Sequence, residues 1–318
     1  MNTGTPPRQC IVQLHVITRA ARATARASRT SARRDMALAA LSEDGQRIIF
    51  TQLCNVLDPR IAVALSSANY GLWAATQALR QQLKADHKAA AALCRKLGLR
   101  SCKALREAKE VDWFEKGLTA TDLTLLGTLG SVLPALEKAV LIEASFPDVT
   151  DGMQRLAAGL GAGALPAVRS LTLSMHMGDA GASALAAALG RGALPRLESI
   201  MLHQTSIGDA GLVALAPALR RLPALENINL WKNPLGDEGL AALVAPPPPT
   251  GMLAKLKWLY LGETRVDDAG CAALAAALNR GALPALDMLD ILLIPASAAA
   301  KEAVRGALAS SRAARLPS

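Results

Sequence analysis

Residues 195–219 read PRLESIMLHQTSIGDAGLVALAPAL, and this stretch decides the fold. Apolar and polar residues alternate around Ile200 and Leu202, a period of two that predicts a short strand with one buried face. A turn at Gly208 and Asp209 then begins a segment whose leucines recur at helical spacing, so a helix follows the strand. One strand and one helix cannot bury their apolar faces alone, and the unit must therefore stack on others of its kind.

The same unit recurs along the chain every 28 to 32 residues. Its copies align on seven apolar pairs, which are Val111/Trp113, Ala139/Leu141, Leu171/Leu173, Ile200/Leu202, Ile228/Leu230, Leu259/Leu261 and Leu289/Ile291. Four aspartates recur at the turn, where a carboxylate can cap the helix that follows, and they are Asp179, Asp209, Asp237 and Asp268. Asn233 is placed to bond the turn backbone with its side chain, and Thr205 and Thr264 are smaller substitutes. We therefore predict about seven strand–helix units over residues 105–308.

This pattern resembles the ribonuclease-inhibitor-like class of leucine-rich repeats, because four segments share one turn and helix: MGDAGASALAAAL, IGDAGLVALAPAL, LGDEGLAALV and VDDAGCAALAAAL. The resemblance implies an α/β horseshoe, a solenoid with parallel strands lining the concave face and helices outside. It also implies a scaffold that binds a protein ligand and catalyses no reaction. The last unit, LLIPASAAAKEAV, lacks the Gly-Asp turn and is expected to cap the stack.

Composition agrees with a solenoid and excludes several classes of protein. The chain is 51% hydrophobic but only 3% aromatic, so Leu and Ala must fill the core. The net charge of +9 gathers at the chain ends, with seven arginines and no acid in residues 1–34, which leaves no basic stripe for nucleic acid. No stretch reaches the roughly 18 consecutive apolar residues of a membrane-spanning helix. Catalytic, metal and cofactor motifs are absent from the sequence, so we expect neither an enzyme nor a cofactor.

The two ends of the chain differ from the repeats. Residues 1–35 place arginines on one face of a potential helix and carry no acid before Asp35, and such a basic segment is either a disordered extension or an organelle-targeting peptide. The expected location is the cytoplasm, because five widely spaced cysteines are typical of reduced thiols, with an organelle as the alternative. Residues 309–318 are predicted to form a disordered tail.

Residues 36–104 are predicted to form a small all-α domain before the repeats, with a break at Asp58 and Pro59. The stretch 41–67, LSEDGQRIIFTQLCNVLDPRIAVALSS, resembles the opening of an F-box at Leu41, Asp44, Ile49, Phe50, Leu53, Ile61 and Leu65. This resemblance implies a substrate receptor of a cullin-based ubiquitin ligase, whose helices bind a Skp-type adaptor. A helical cap on the repeats is the alternative interpretation.

Candidate binding residues lie beside the apolar pairs, because strand side chains alternate between the buried and the concave face. In the predicted register, the concave face of three successive repeats presents Met201, His203, Asn229, Trp231, Trp258 and Tyr260. Trp and Tyr dominate the binding energy at the centres of interfaces, so these residues are predicted to contact a protein ligand. The alternative is that the rings stack across neighbouring strands and support the sheet.

Overall fold

A computed structural model describes residues 42–67, 70–114, 116–142, 149–245 and 253–315. The predictions for residues 1–35, for Leu41 and for the last three residues of the tail lie outside the described residues. Two compact units are present, the first with described residues 42–55 and 59–84, the second with 56–58 and 85–315. Residues 85–104 therefore group with the repeats, although the sequence placed them in the helical segment 36–104.

The first unit is built from helices, α1 (Glu43–Leu53), α2 (Arg60–Ser66), α3 (Tyr70–Ala75) and the first part of α4 (Gln77–Lys96). Helix α1 begins after Ser42, whose hydroxyl accepts a hydrogen bond from the Gly45 amide at 3.2 Å. Phe50 is fully buried. The Arg80 guanidinium lies 3.2 Å from the centroid of the Trp73 ring and donates to the Trp73 carbonyl.

The second unit contains strand–helix repeats. A short helix α5 (Cys102–Glu107) precedes strands β1 (Glu110–Asp112), β2 (Lys138–Ile142), β3 (Ser170–Ser174), β4 (Ser199–Met201), β5 (Asn227–Asn229), β6 (Trp258–Tyr260) and β7 (Met288–Asp290). The helices that alternate with them are α6 (Ala120–Leu129), α7 (Val149–Gly159), α8 (Gly178–Gly190), α9 (Asp209–Arg220), α10 (Asp237–Val244), α11 (Asp268–Asn279) and α12 (Ala298–Ala313).

The seven strands form one parallel sheet in chain order. Its register confirms the predicted alignment, because the first members of the apolar pairs face one another as Val111, Ala139, Leu171, Ile200, Ile228, Leu259 and Leu289. The pair members pack with the buried helix residues in a single apolar cluster, and Leu289 on the last strand is only half-buried. The helices therefore cover one face of the sheet, and we call the other face the open face.

The repeated aspartates bond to a different helix from the one predicted. Asp209 accepts hydrogen bonds from the amides of Gly236 and Gly239, at 2.8 and 2.7 Å, where the helix of the next repeat begins. Asp179, Asp237 and Asp268 likewise accept from the residue that precedes the next helix. A Cβ atom at Gly239 would lie 2.8 Å from Asp209 Oδ1, so the second glycine of the turn makes room for this carboxylate. The prediction of capping within a repeat is therefore wrong, and the bonds join neighbouring repeats.

The predicted role of Asn233 at the turn is confirmed. Asn233 is buried; its Oδ1 accepts from the amides of Thr205 and Ile207, and its Nδ2 donates to the carbonyls of Leu202 and Leu230. The Thr205 and Thr264 hydroxyls each donate to one carbonyl of their own turn, at 2.8 and 2.7 Å. These bonds satisfy buried backbone groups that would otherwise destabilise the stack.

The last repeat extends further than the sequence predicted. Helix α12 ends at Ala313, so residues 309–313 of the predicted disordered tail are helical. Leu308 is buried, and Arg315 donates to the Leu286 carbonyl at 2.7 Å and to Asp287 Oδ1 at 3.1 Å. These contacts hold the end of the helix beside the start of β7, which the composition of the tail did not reveal.

The interior near β2 contains unfilled space. A cavity of about 30 Å³ is lined by Trp113, Ala139, Met153, Ala157 and several leucines. Ala139 occupies a position that Val, Leu or Ile fills in the other six repeats. The indole nitrogen of Trp113 is buried without a hydrogen-bond partner among the described residues. The small side chain of Ala139 therefore leaves space unfilled.

Candidate functional site

The open face consists of rows of side chains that cross the strands. One row contains Ser170, Ser199, Asn227, Trp258 and Met288, and the next contains Thr172, Met201, Asn229, Tyr260 and Asp290. Backbone hydrogen bonds beyond the strand ends continue the pattern into a third row with His203, Trp231, Gly262 and Leu292. The face is thus lined by Ser and Thr on β3, by Asn on β5, and by aromatic and large apolar side chains on β6, on β7 and at Trp231 just after β5.

All six predicted binding residues lie on this face and on neighbouring strands. Met201, Asn229 and Tyr260 are direct register partners, and Trp258 lies on the same strand as Tyr260. His203 and Trp231 follow β4 and β5 in the third row. The structure therefore brings the six side chains together as the register predicted, and their role in binding stays a prediction.

Trp231 is packed against the sheet. A Cβ atom at Gly262 would lie 2.8 Å from Trp231 Cδ1, so only glycine leaves room for the indole ring at this place. Lys232 Nζ lies 5.5 Å from the centroid of the ring, and the Trp231 amide donates to Asn229 Oδ1 at 2.9 Å. Half-buried in this way, Trp231 fits the alternative in which aromatic rings support the sheet.

Trp258 is exposed, whereas Tyr260 on the same strand is half-buried. Trp258 is 36% exposed, with Lys257 Nζ 5.7 Å from the centroid of its ring. Lys257 also pairs with Glu226 across the sheet, at 3.0 Å. The Tyr260 hydroxyl donates weakly to Met288 Sδ at 3.7 Å, which ties the aromatic pair to the last strand.

The six predicted binding residues do not include three exposed residues of the last repeat. Met288, Leu292 and Leu293 are 49%, 65% and 77% exposed, and we call them the apolar rim. Leu293 has a positive φ of 56°, at the position where Gln204, Lys232 and Glu263 stand in earlier repeats. The signal was the run Leu292 to Ile294, whose apolar residues occupy the positions of Gly262, Glu263 and Thr264 in the preceding repeat.

His203 is the one imidazole among the six predicted binding residues. Burial lowers the pKa of His203, which keeps its imidazole neutral at physiological pH. Within the described ranges, no group of three or more His, Cys, Asp and Glu side chains is placed to hold a metal ion. In the same part of the chain, no helix has the length and apolar character needed to cross a membrane.

The repeated leucines, the parallel sheet and the helices on one face define a leucine-rich-repeat-like solenoid. No protein-family model and no curated protein matches this chain. Among solved structures, it is similar to an internalin from Listeria monocytogenes str. 4b F2365, with 16% identity, a TM-score of 0.33 and 60% of this chain covered. The match spans 48% of that internalin. It is also similar to actin-binding site 2 of leiomodin-1, with 13% identity, a TM-score of 0.30, and 67% of this chain and 88% of that chain covered.

Proposed function

We propose that the protein is a non-catalytic scaffold that binds a protein ligand on the open face of its repeats, around Trp258 and Tyr260. The exposed position of Trp258 beside Met288 carries this proposal, because large apolar side chains on neighbouring strands form a continuous patch. Such patches on soluble proteins mark interaction sites, and Trp and Tyr contribute most of the binding energy there. The four repeated turns support assignment to the ribonuclease-inhibitor-like class, and the expected location is the cytoplasm.

We expect charge to contribute less to the affinity for the ligand than burial of the aromatic rings does. Ion pairs cross the sheet from repeat to repeat, joining Lys109 to Glu137, Arg169 to Glu198 and Lys257 to Glu226. Opposite charges that already neutralise one another offer little net field to a charged ligand. We therefore expect the affinity to depend only weakly on salt, unlike binding to a nucleic acid.

The test is affinity capture with the full chain, followed by measurement of the affinity of the identified partner for variants. Trp258→Ala removes the most exposed of the three rings on the open face and should weaken binding by about 2 kcal/mol, some thirtyfold. Val213→Ala on helix α9 is the matched control, since Val213 is also exposed but belongs to the helix layer. Full affinity in Trp258→Ala together with a loss in Val213→Ala would place the site on the helices and contradict the proposal.

A second candidate function concerns the first unit. Ile48, Ile61 and Trp73 are exposed there, and exposed large apolar side chains favour a docking role such as binding of a Skp-type adaptor. Phe50, one of the F-box-like residues, is fully buried and acts as core. The direct test is co-precipitation of the full chain with a Skp-type adaptor, using Ile61→Lys as the variant expected to lose it. No adaptor bound to the unmodified chain would remove this candidate.

A further inference from the structure

Backbone groups of the last strand, β7, lack the hydrogen-bond partners that the equivalent groups have in the inner repeats. In the inner repeats, the amides of Leu230 and Leu261 donate to the next strand at 2.9 and 2.8 Å. The amides of Lys232 and Glu263, two residues further, do the same at 2.8 and 2.9 Å. The equivalent amides of the last repeat belong to Ile291 and Leu293, and β7 is the outermost strand. These two donors face no further strand in the part of the chain that the structure describes.

The open acceptor is the carbonyl of Asp287. Its equivalent in the preceding repeat, the Lys257 carbonyl, accepts from the amides of Asp287 and Met288 at 2.9 and 2.8 Å. An unpaired row of strand donors and acceptors is a ready template for another extended segment. The edge of β7 therefore offers two amides and one carbonyl in the spacing that every inner strand uses.

Another repeat of the same kind is not the occupant that this edge fits. The aspartates that join the repeats bond forward, each to the repeat that follows it. Their position in the last repeat is taken by Ala298. The side-chain bonds that hold each repeat to the one after it therefore stop at the last repeat.

Charged residues of the last helix, α12, also oppose the stacking of a further helix. Three residues after each joining aspartate, the earlier helices carry fully buried side chains, which are Ala182, Leu212, Leu240 and Cys271. Lys301 takes this position in α12, and Arg305 follows one turn later. Lys301 donates to the Ile294 carbonyl, and Arg305 pairs with Glu302. A stacked helix would bury these charges, which is costly even when they are paired. Only the strand layer remains open.

The strand layer combines apolar surface with one acid. Asp290 lies between Met288 and Leu292 along the open face, and its Oδ1 accepts from the Leu292 amide at 2.9 Å. It has no ion-pair partner among the described residues. A segment beside β7 would place alternate side chains next to Met288, Asp290 and Leu292, since strand side chains have a period of two. Complementarity therefore calls for an apolar, a basic and an apolar residue at alternate positions.

We propose that an extended segment of the protein partner pairs with β7 as an additional strand, with an apolar–any–basic–any–apolar pattern on the open face. This inference rests on the proposed protein-binding function. Main-chain hydrogen bonds to Ile291, Leu293 and Asp287 supply affinity, while the apolar rim and Asp290 supply specificity. The aromatic patch continues into the same interface, because Met288 is the register partner of Trp258.

The experiment selects a random nine-residue phage library against the full chain and against a Leu292→Ser variant in parallel. Peptides enriched on the unmodified chain should share the pattern and bind the variant at least tenfold more weakly. Methylating the alternate backbone nitrogens that face β7 should abolish binding, since it removes the donors to the edge without changing any side chain. Enrichment of no peptide, or equal binding of the methylated peptides, would overturn the proposal.

The contact between Asp290 and a basic residue of the bound segment is tested separately. Asp290→Asn keeps the hydrogen bond to the Leu292 amide but removes the charge, and should weaken the selected peptides about tenfold. Replacing the basic residue of the peptide with norleucine should make it insensitive to this substitution. An unchanged affinity in Asp290→Asn would remove the assignment of a basic residue.

Hydrogen exchange separates this inference from the proposed function. Binding of the captured partner should slow exchange at the amides of Ile291 and Leu293, which burial of the aromatic rings alone would leave unchanged. If Trp258→Ala weakens the partner but these amides exchange freely in the complex, the open face binds and the added strand is wrong. If Trp258→Ala has no effect and the amides are protected, the edge binds and the proposed face is wrong.

Discussion

The repeats around β2 and those around β5 follow the same pattern but differ on both faces of the sheet. At the inward position, Ala139 leaves a cavity beside β2, whereas Ile228 and Leu230 are fully buried in the later repeat. On the open face, β3 next to β2 carries Ser and Thr, whereas β6 next to β5 carries Trp258 and Tyr260. Packing therefore constrains the inward positions. The outward positions differ from repeat to repeat and include the residues that we propose bind a ligand.

The largest expected effect tests the tight packing of the later repeats. Leu230→Ala should lower the free energy of unfolding by about 2–5 kcal/mol, because a buried leucine loses its transfer energy and leaves a cavity. Leu141→Ala should cost less, since Leu141 already lines the cavity and has fewer contacts to lose. Urea unfolding of both variants measures this difference. Equal losses would show that the two regions are packed alike.

The next effect tests how the later repeats are joined. Asp209→Ala should destabilise by about 1 kcal/mol, as the loss of a helix cap does. Hydrogen exchange measures where the variant is loosened. Exchange should become faster at the amides of Gly236 and Gly239, in the next repeat, because Asp209 accepts from those amides. Exchange that rises only within helix α9 would restore the interpretation in which each aspartate caps its own helix.

A smaller and opposite effect is expected beside β2. Ala139→Val fills part of a cavity of about 30 Å³, and at roughly 24 cal/mol per Å³ the gain approaches about 0.7 kcal/mol. Ala188→Val is the matched control, because Ala188 is fully buried away from the cavity and overpacking should destabilise it. Thermal melts of the two variants measure the difference. Destabilisation by both substitutions would show that a larger side chain does not fit at Ala139.

The smallest effect concerns an ion pair before β2. Burial opposes ionisation of Asp122, but hydrogen bonds from Lys96 and Thr119 outweigh it and lower the pKa of Asp122. A lowered pKa stabilises the fold above the unfolded value of about 3.9, and this stability is lost as the pH falls through the folded value. Lys96→Met should cost about 0.5 kcal/mol at neutral pH and less in acid.

The control for this effect is Lys103→Met, which removes an exposed pair with Glu107. Chemical unfolding at several pH values should show a cost for Lys96→Met that shrinks below about pH 4. A cost that stays constant with pH would assign the effect of Lys96 to packing of its aliphatic chain rather than to the charge of Asp122.

Most of the repeat architecture could be predicted from the sequence. From Leu171/Leu173 onward, each apolar pair lies on one face of its strand, so only that face can be buried. The direction of the aspartate bonds could not be predicted, since the same spacing suits the helix of Asp209 and the helix that follows it. The roles of Trp231 and Trp258 were also hidden. Both alternate outward from strands, and only the contact with Gly262 distinguishes a supporting ring from an exposed one.

The boundary near residue 100 was predicted where the helical spacing of apolar residues gives way to the repeats. Helices continue through this region as α4 and α5, and periodicity cannot tell which core a helix joins. The buried side chains of Leu93, Cys94 and Leu105 belong to the same apolar cluster as the repeats. That membership depends on contacts between residues distant in sequence, which no local pattern contains.

The bonds from Asp179 to Gly208 and from Asp209 to Gly236 have a consequence for how such a chain can change length. The three units that contain helices α9, α10 and α11 each carry an aspartate that accepts from the next unit and a glycine that makes room for the aspartate of the unit before. Duplication or deletion of one of these units leaves the joints between them complete, because the new neighbours still match. Changes of length by whole units within this series therefore need no second substitution.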